Sequence, residues 1–227
     1  LEKTVFFEYP TIKELAVHLA RQQARPIARA LVGTPPRNDV LGTRYSDIAV
    51  VGISGRYPKS PDLESFWNNL KQGMDCVEEI PNERWDWRGR SPRNRWGGFI
   101  EGVDQFDPLL FNISPRDAER IDPQERLFLQ CAYAALEDAG YTPDEFGGAE
   151  TAREVGVFVG VMYEEYQLYA VEAQARGIDV AVSGSAASVA NRVSYSFNFR
   201  GPSMALDTMC SSSLTAIHLA CQSIRNG

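Results

Sequence analysis

The stretch Gly201-Pro202-Ser203-Met204-Ala205-Leu206-Asp207-Thr208-Met209-Cys210-Ser211-Ser212-Ser213-Leu214 decides the reading of this chain. Its first half reads as a short strand over 203–208, and the segment Leu214 to Arg225 as a helix. Between them a sharp turn presents one thiol, Cys210, at the helix start. A helix N-terminus carries unpaired N–H groups and a partial positive charge. Both favour a thiolate, the nucleophilic form of cysteine. The backbone N–H of Cys210 is a candidate oxyanion donor, and Ser211, Ser212 and Ser213 are candidates to cap the free donors of the helix. The plain alternative is a free cysteine packed as a small hydrophobe.

Upstream, strands and helices alternate. Asp47-Ile48-Ala49-Val50-Val51-Gly52-Ile53 is an apolar run of the kind a buried strand needs, followed by a turn at Ser54-Gly55. Its Gly-x-x-Gly lacks the full spacing of a dinucleotide fingerprint. Residues 62–72 predict a helix with Leu63, Phe66, Trp67 and Leu70 on one face. Ser114-Pro115-Arg116-Asp117 and Asp122-Pro123-Gln124-Glu125 each read as an N-cap, a proline at the first helical position and an acid at the third. The second begins a longer helix, with Cys131 on its apolar side and Gly140 placed to end it. Residues 154–161 predict another buried strand. The alternation argues for an α/β layered fold.

Residues 1–24 contain an amphipathic helix pattern (Ile12, Leu15, Ala16, Leu19) behind Pro10-Thr11, stopped before Pro26. Residues 25–45 have linker composition, with Pro26, Gly33, Pro35, Pro36 and Gly42; they read either as a linker over the next domain's surface, docked through Ile27, Leu31 and Val32, or as a disordered segment. The chain of 227 residues carries a net charge of −7, which disfavours a nucleic-acid binder with its basic face. Arg84, Arg88, Arg90, Arg93 and Arg95 do interleave with Trp85, Trp87 and Trp96, a pattern that can stack single strands. On an acidic chain this cluster reads better as a surface loop packed by its tryptophans. No apolar run reaches the roughly 20 residues of a membrane span, and the start lacks a signal-peptide pattern. The four cysteines (76, 131, 210, 221) show no C-x-x-C spacing, which argues against zinc and disulfides and points to a cytoplasmic setting.

The region from Ala190-Asn191-Arg192-Val193-Ser194-Tyr195 to Cys210-Ser211-Ser212-Ser213-Leu214 resembles the nucleophile region of the β-ketoacyl synthase (ketosynthase) domains of modular polyketide synthases. Ordered matches extend the resemblance over residues 46–227. They include Gly55-Arg56-Tyr57-Pro58, Glu79-Ile80-Pro81, Phe111-Asn112-Ile113-Ser114, Asp122-Pro123-Gln124-Glu125-Arg126 and Leu136-Glu137-Asp138-Ala139-Gly140-Tyr141. Thr4-Val5-Phe6-Phe7-Glu8-Tyr9-Pro10-Thr11-Ile12 looks like the last part of an acyl carrier protein. The resemblance thus divides the chain into a carrier remnant (1–24), a linker (25–45) and the N-terminal half of a thiolase-like fold (46–227).

The resemblance also implies the chemistry. Cys210 would accept an acyl group from a carrier-bound thioester, for decarboxylative Claisen condensation with a malonyl-type extender. No cofactor is bound directly; acyl groups arrive on the phosphopantetheine of acyl carrier proteins. The family uses two histidines and a lysine well downstream of the nucleophile. The only histidines here, His18 and His218, match neither position, and both are expected to be structural. His218 is eight residues past Cys210, roughly 12 Å along a helix. The isolated chain is therefore expected to be inactive. Met209 stands where many relatives carry a small residue, and with Met162 and Tyr163 it would line the acyl tunnel. These features look more like assembly lines whose acyltransferase acts in trans. Such ketosynthases are homodimers with the strand before the nucleophile at the interface, so Met204 to Thr208 should be apolar and buried. The remaining partners would be the rest of the synthase chain, with no nucleic acid and no membrane. The alternative within the family is a non-condensing acyl-transfer or docking and scaffold module.

Overall fold

The computed structural model describes residues 47–87, 95–142, 154–178 and 184–226. The chain divides between Tyr45 and Ser46, and every described residue lies in the second unit. The carrier-like helix with His18, the linker, and Arg88, Arg90 and Arg93 fall outside the described residues.

Each helix start follows from its capping chemistry. Helix α1 (Leu63–Gln72) begins where the Asp62 carboxylate accepts the Ser65 N–H and ends at Gly73, whose φ of 64° suits a residue without a side chain. The hydrogen bond from the Ser65 N–H holds the Asp62 carboxyl below the usual carboxylate range. Phe66 of this helix stacks on Tyr57 at 4.0 Å, while Trp67 and Leu70 stay exposed. Two short strands, β1 (Glu78–Glu79) and β2 (Trp96–Gly97), pair antiparallel. Between them Trp87 donates its Nε1–H to the Ile80 carbonyl at 3.2 Å and Arg95 lies over its ring, whereas Trp85 and Trp96 remain exposed. Within the described part of the loop, Trp87 makes both contacts.

Both proline-led starts form helices. Ser114 caps α2 (Pro115–Ala118) by accepting the Asp117 N–H, and Asp122 caps α3 (Pro123–Asp138) by accepting the Gln124 N–H. Strand β3 (Val157–Gly160) then precedes α4 (Leu168–Ala175), α5 (Ala186–Ser196), strand β4 (Ser203–Leu206) and α6 (Ser212–Asn226). β3 and β4 pair in parallel, with Val157 opposite Ser203 and Gly160 opposite Leu206.

Side-chain alternation along β3 builds the layers. Val157, Val159 and Val161 point into a core with Leu129 of α3 and Val189, Ala190 and Val193 of α5. Gly160 points to the other face, where α6 packs. The result is helix, sheet, helix, as the α/β expectation requires. α3 and α5 are also joined by charge: Glu125, with no exposed surface, accepts from Arg192 Nε and from Ser188 Oγ at 2.7 Å. Ser203 Oγ donates to Asn191 Oδ1 at 2.8 Å and ties β4 to α5.

One expected strand is absent. Residues 47–53 form no strand among the described residues, and Val50 and Val51 are 84% and 67% exposed. The segment lies instead on the end of α3. The Ile53 N–H donates to Asp138 Oδ2 at 2.9 Å, and a Cβ on Gly52 would meet the Ala135 carbonyl at 2.3 Å. Without a paired neighbour, its apolar pattern has no sheet to join.

The buried ion pair generates a prediction. Arg192→Leu leaves the Glu125 carboxylate buried without its cation, so stability falls by about 3 kcal/mol, read from the urea midpoint of the full chain. A loss below about 1 kcal/mol would show that the pair does not hold α3 to α5.

Candidate active site

The turn between β4 and α6 is built by its own side chains. Asp207 Oδ1 accepts the Met209 N–H at 2.7 Å, an Asx turn that bends the chain two residues after the strand. Met209 then adopts a left-handed φ of 58°, unusual for a residue with a side chain. Cys210 follows at the apex and is exposed, whereas Cys76, Cys131 and Cys221 are partly buried. Ser211 Oγ donates to the Thr208 carbonyl at 2.9 Å and Oγ1 at 3.0 Å. Ser212 is 5% exposed; its Oγ donates to the Met209 carbonyl at 2.7 Å and accepts the Thr208 N–H at 2.9 Å.

These contacts correct the capping expectation. The Ser211 and Ser212 hydroxyls turn back onto the turn instead of accepting from the first N–H groups of α6, and Ser213 makes no such bond among the described residues. The reason is geometric: the Asx turn places the Thr208 N–H and the Met209 and Thr208 carbonyls within their reach. The helix also begins at Ser212, two residues earlier than expected.

Gly160 makes the arrangement fit. A Cβ there would lie 2.8 Å from the Ser212 Cβ and from the Ser213 nitrogen. The first turn of α6 therefore rests directly on the backbone of β3. Because β3 and β4 run parallel, their following residues emerge at one end of the pair. The Val161 N–H continues the ladder by donating to the Leu206 carbonyl at 3.1 Å. Met162 and Tyr163 thus come to the same end of the sheet as Met209 and Cys210, the usual place for a site in a parallel α/β arrangement. Met162 is half-buried; Tyr163 is exposed and its carbonyl accepts from Gln124 Nε2 at 2.8 Å.

Other expected residues behave differently. His218 is exposed and makes no hydrogen bond to Cys210 or to any described residue, so it neither forms a dyad nor packs the core. Cys131 fits the structural reading: burial, opposed by the Arg56 charge and by Ser54, pushes its thiol up. Met204, Asp207 and Thr208 are exposed in the single chain, and Ala205 and Leu206 are half-buried. Among the described residues β3 is the only strand partner of β4, so the outer edge of β4 is open. No described cluster of His, Cys, Asp or Glu has the grouping to hold a metal, and no described helix is long and apolar enough to cross a membrane. Asp207 and Gly160 were missed from the sequence. An Asp two residues before the left-handed position was the available signal for the first.

Two predictions follow from this geometry. Iodoacetamide at limiting concentration labels Cys210 of the full chain before Cys131, as peptide mapping would show; equal labelling would contradict the exposed apex. Gly160→Ala forces α6 off β3 and lowers stability by roughly 1–3 kcal/mol, read by denaturant melting, whereas an unchanged melt would mean that the contact is not tight.

A family model described as "Beta-ketoacyl synthase, N-terminal domain" matches residues 45–227. Polyketide synthase ThaG of Burkholderia thailandensis is 46% identical over 100% of this chain and 5% of its own length. Polyketide synthase PksM of Bacillus subtilis is 49% identical over 100% of this chain and 6% of its own. Among solved structures, the oxazolomycin ketosynthase domain OzmH KS7 of Streptomyces albus superposes with a TM-score of 0.74 at 53% identity, covering 80% of this chain and 33% of that one. The ketosynthase from module 6 of the bacillaene synthase of Bacillus subtilis superposes with a TM-score of 0.67 at 38% identity, covering 78% and 29%. The chain thus spans about a third of solved ketosynthases and a small fraction of the curated synthases. The exposed thiol on a strand–turn–helix and the ordered matches along the sequence agree with these likenesses: the chain belongs to the β-ketoacyl synthase family, as part of a polyketide synthase ketosynthase with the thiolase-like α/β fold.

Proposed function

We propose that Cys210 is the acyl-accepting nucleophile of this ketosynthase. The observation that carries the reading is the exposed thiol at the apex of the β4–α6 turn, at the open end of a parallel strand pair. The Cys210 sulfur, as thiolate, attacks the carbonyl carbon of a carrier-bound thioester. The carbonyl π pair moves to oxygen, then returns as the bond to the phosphopantetheine sulfur breaks. That thiol leaves with the proton Cys210 gave up. A malonyl-type extender then loses carbon dioxide, and its C–C bonding pair becomes an enolate. The enolate carbon attacks the acyl group on Cys210, a C–C bond forms, and the Cys210 thiolate is released.

The groups that would assist decarboxylation, the family's two histidines and lysine, have no counterpart in His18 or His218. The exposed apolar residues of α6, Leu214 (73%) and Ile217 (60%), fit a surface that further ketosynthase sequence covers. On this reading residues 1–227 alone are inactive. Residues 1–24 are the tail of an acyl carrier protein and 25–45 a linker. The open edge of β4 pairs with a second copy in a homodimer, which accounts for the exposed Met204. Met209, Met162 and Tyr163 shape the acyl tunnel, acyl carrier proteins deliver the substrates, an acyltransferase acts in trans, and the enzyme is cytoplasmic. A non-condensing relative that only transfers acyl groups would share the first step.

Incubation of the complete ketosynthase domain, residues 46–227 extended downstream, with a short acyl thioester tests the nucleophile. Peptide mass spectrometry is expected to find the acyl group on Cys210 and to lose it in Cys210→Ala. Acylation spread over Cys76, Cys131 and Cys221, with none favouring Cys210, would sink the assignment.

A further inference from the structure

We infer that Ser212 is a positioning residue: it aims the Cys210 backbone N–H at the oxygen of the reacting acyl group. The inference rests on the reading of Cys210 as the nucleophile. It comes from one peptide plane. The Met209–Cys210 peptide is trans, so its carbonyl and its N–H point in opposite directions. The carbonyl is held twice by one residue: the Ser212 N–H donates to it at 3.1 Å and the Ser212 Oγ–H at 2.7 Å. The hydroxyl has a single proton. Its other acceptor in reach, Asp207 Oδ1, lies at 3.5 Å, so the shorter bond takes the proton. The Thr208 N–H, donating to the same Oγ at 2.9 Å, fixes the hydroxyl from behind.

Ser212 itself cannot swing away. It is buried against the Gly160 backbone. The Met209 carbonyl therefore faces inward, and the Cys210 N–H faces outward, to the side where Met209 and Cys210 are exposed. Among the described residues that N–H has no acceptor. Rotation of this plane would change ψ of the left-handed Met209 and φ of Cys210 and would carry the N–H away from the exposed side. Two donors from Ser212 oppose that rotation. In the acyl-transfer step the thiolate attacks, the carbonyl pair moves to oxygen, and the outward N–H meets the resulting oxyanion. Collapse returns the pair and expels the donor thiol, which carries the proton released by Cys210.

The test uses two electrophiles with different needs. Acetyl N-acetylcysteamine thioester passes through an oxyanion; iodoacetamide alkylates the same sulfur by displacing iodide and forms none. In the complete ketosynthase domain, Ser212→Ala and the near-isosteric Ser212→Cys are compared with the unaltered protein. The maximal rate of acetyl loading at Cys210 is expected to fall roughly 10- to 100-fold, less than or equal to the loss of a whole oxyanion donor. Half-saturation by the thioester and the alkylation rate should stay within about threefold. The unaltered protein gives a reading that needs no variant: the thioester carbonyl stretch of acetyl-Cys210 should lie below that of the free thioester. Unchanged loading in the variants, loading and alkylation that fall together, or an unshifted carbonyl stretch would each overturn the role of Ser212. Absence of acetyl loading at Cys210 in the unaltered protein would remove the nucleophile reading, and this inference with it.

Discussion

The site depends on the missing side chain at Gly160. There the first turn of α6 comes down onto β3, and the burial of Ser212 follows from that approach. The contact buries Ser212, and a buried hydroxyl must find partners. It finds them in the Thr208 N–H and the Met209 carbonyl. The turn is thus locked by a group that reaches neither solvent nor thiol, while the thiol stays exposed at the apex. Packing and chemistry meet in one strand position.

The rest of the described fold holds β3 and β4 in place for that contact. Val157, Val159 and Val161 anchor β3 to α3 and α5, and the Glu125–Arg192 pair keeps those helices together. Burying the Glu125 carboxylate is costly unless it is paired, and Arg192 with Ser188 supplies its partners. α5 is also bonded to β4 through Asn191 and Ser203. The parallel register then sets residues 161–163 beside the turn at the same end of the pair.

Legibility in the sequence followed locality. The strand–turn–helix around Cys210 and the caps at Ser114 and Asp122 are read within a few residues, and the structure has each of them. Interactions at long range were not readable. The Ser212 hydroxyl was expected to cap its own helix because nothing local reveals that Gly160 presses on it, 52 positions earlier in the numbering. Glu125 and Arg192 look like surface charges until α3 and α5 are placed side by side. Residues 47–53 show the opposite limit. Their apolar pattern states what they can pair with, but pairing needs a neighbour, and Val50 and Val51 face outward without one. Met204, Leu214 and Ile217 are exposed in the same way.

The central claim is that the Cys210 turn presents sulfur and N–H together to an acyl carbonyl. A crystal structure of the full ketosynthase carrying an acyl group on Cys210 tests it most directly. The account predicts the acyl oxygen about 2.7–3.1 Å from the Cys210 nitrogen, with the Met209 carbonyl still turned toward Ser212. An acyl group on another cysteine, or a Met209–Cys210 peptide rotated so that its N–H faces inward, would contradict it.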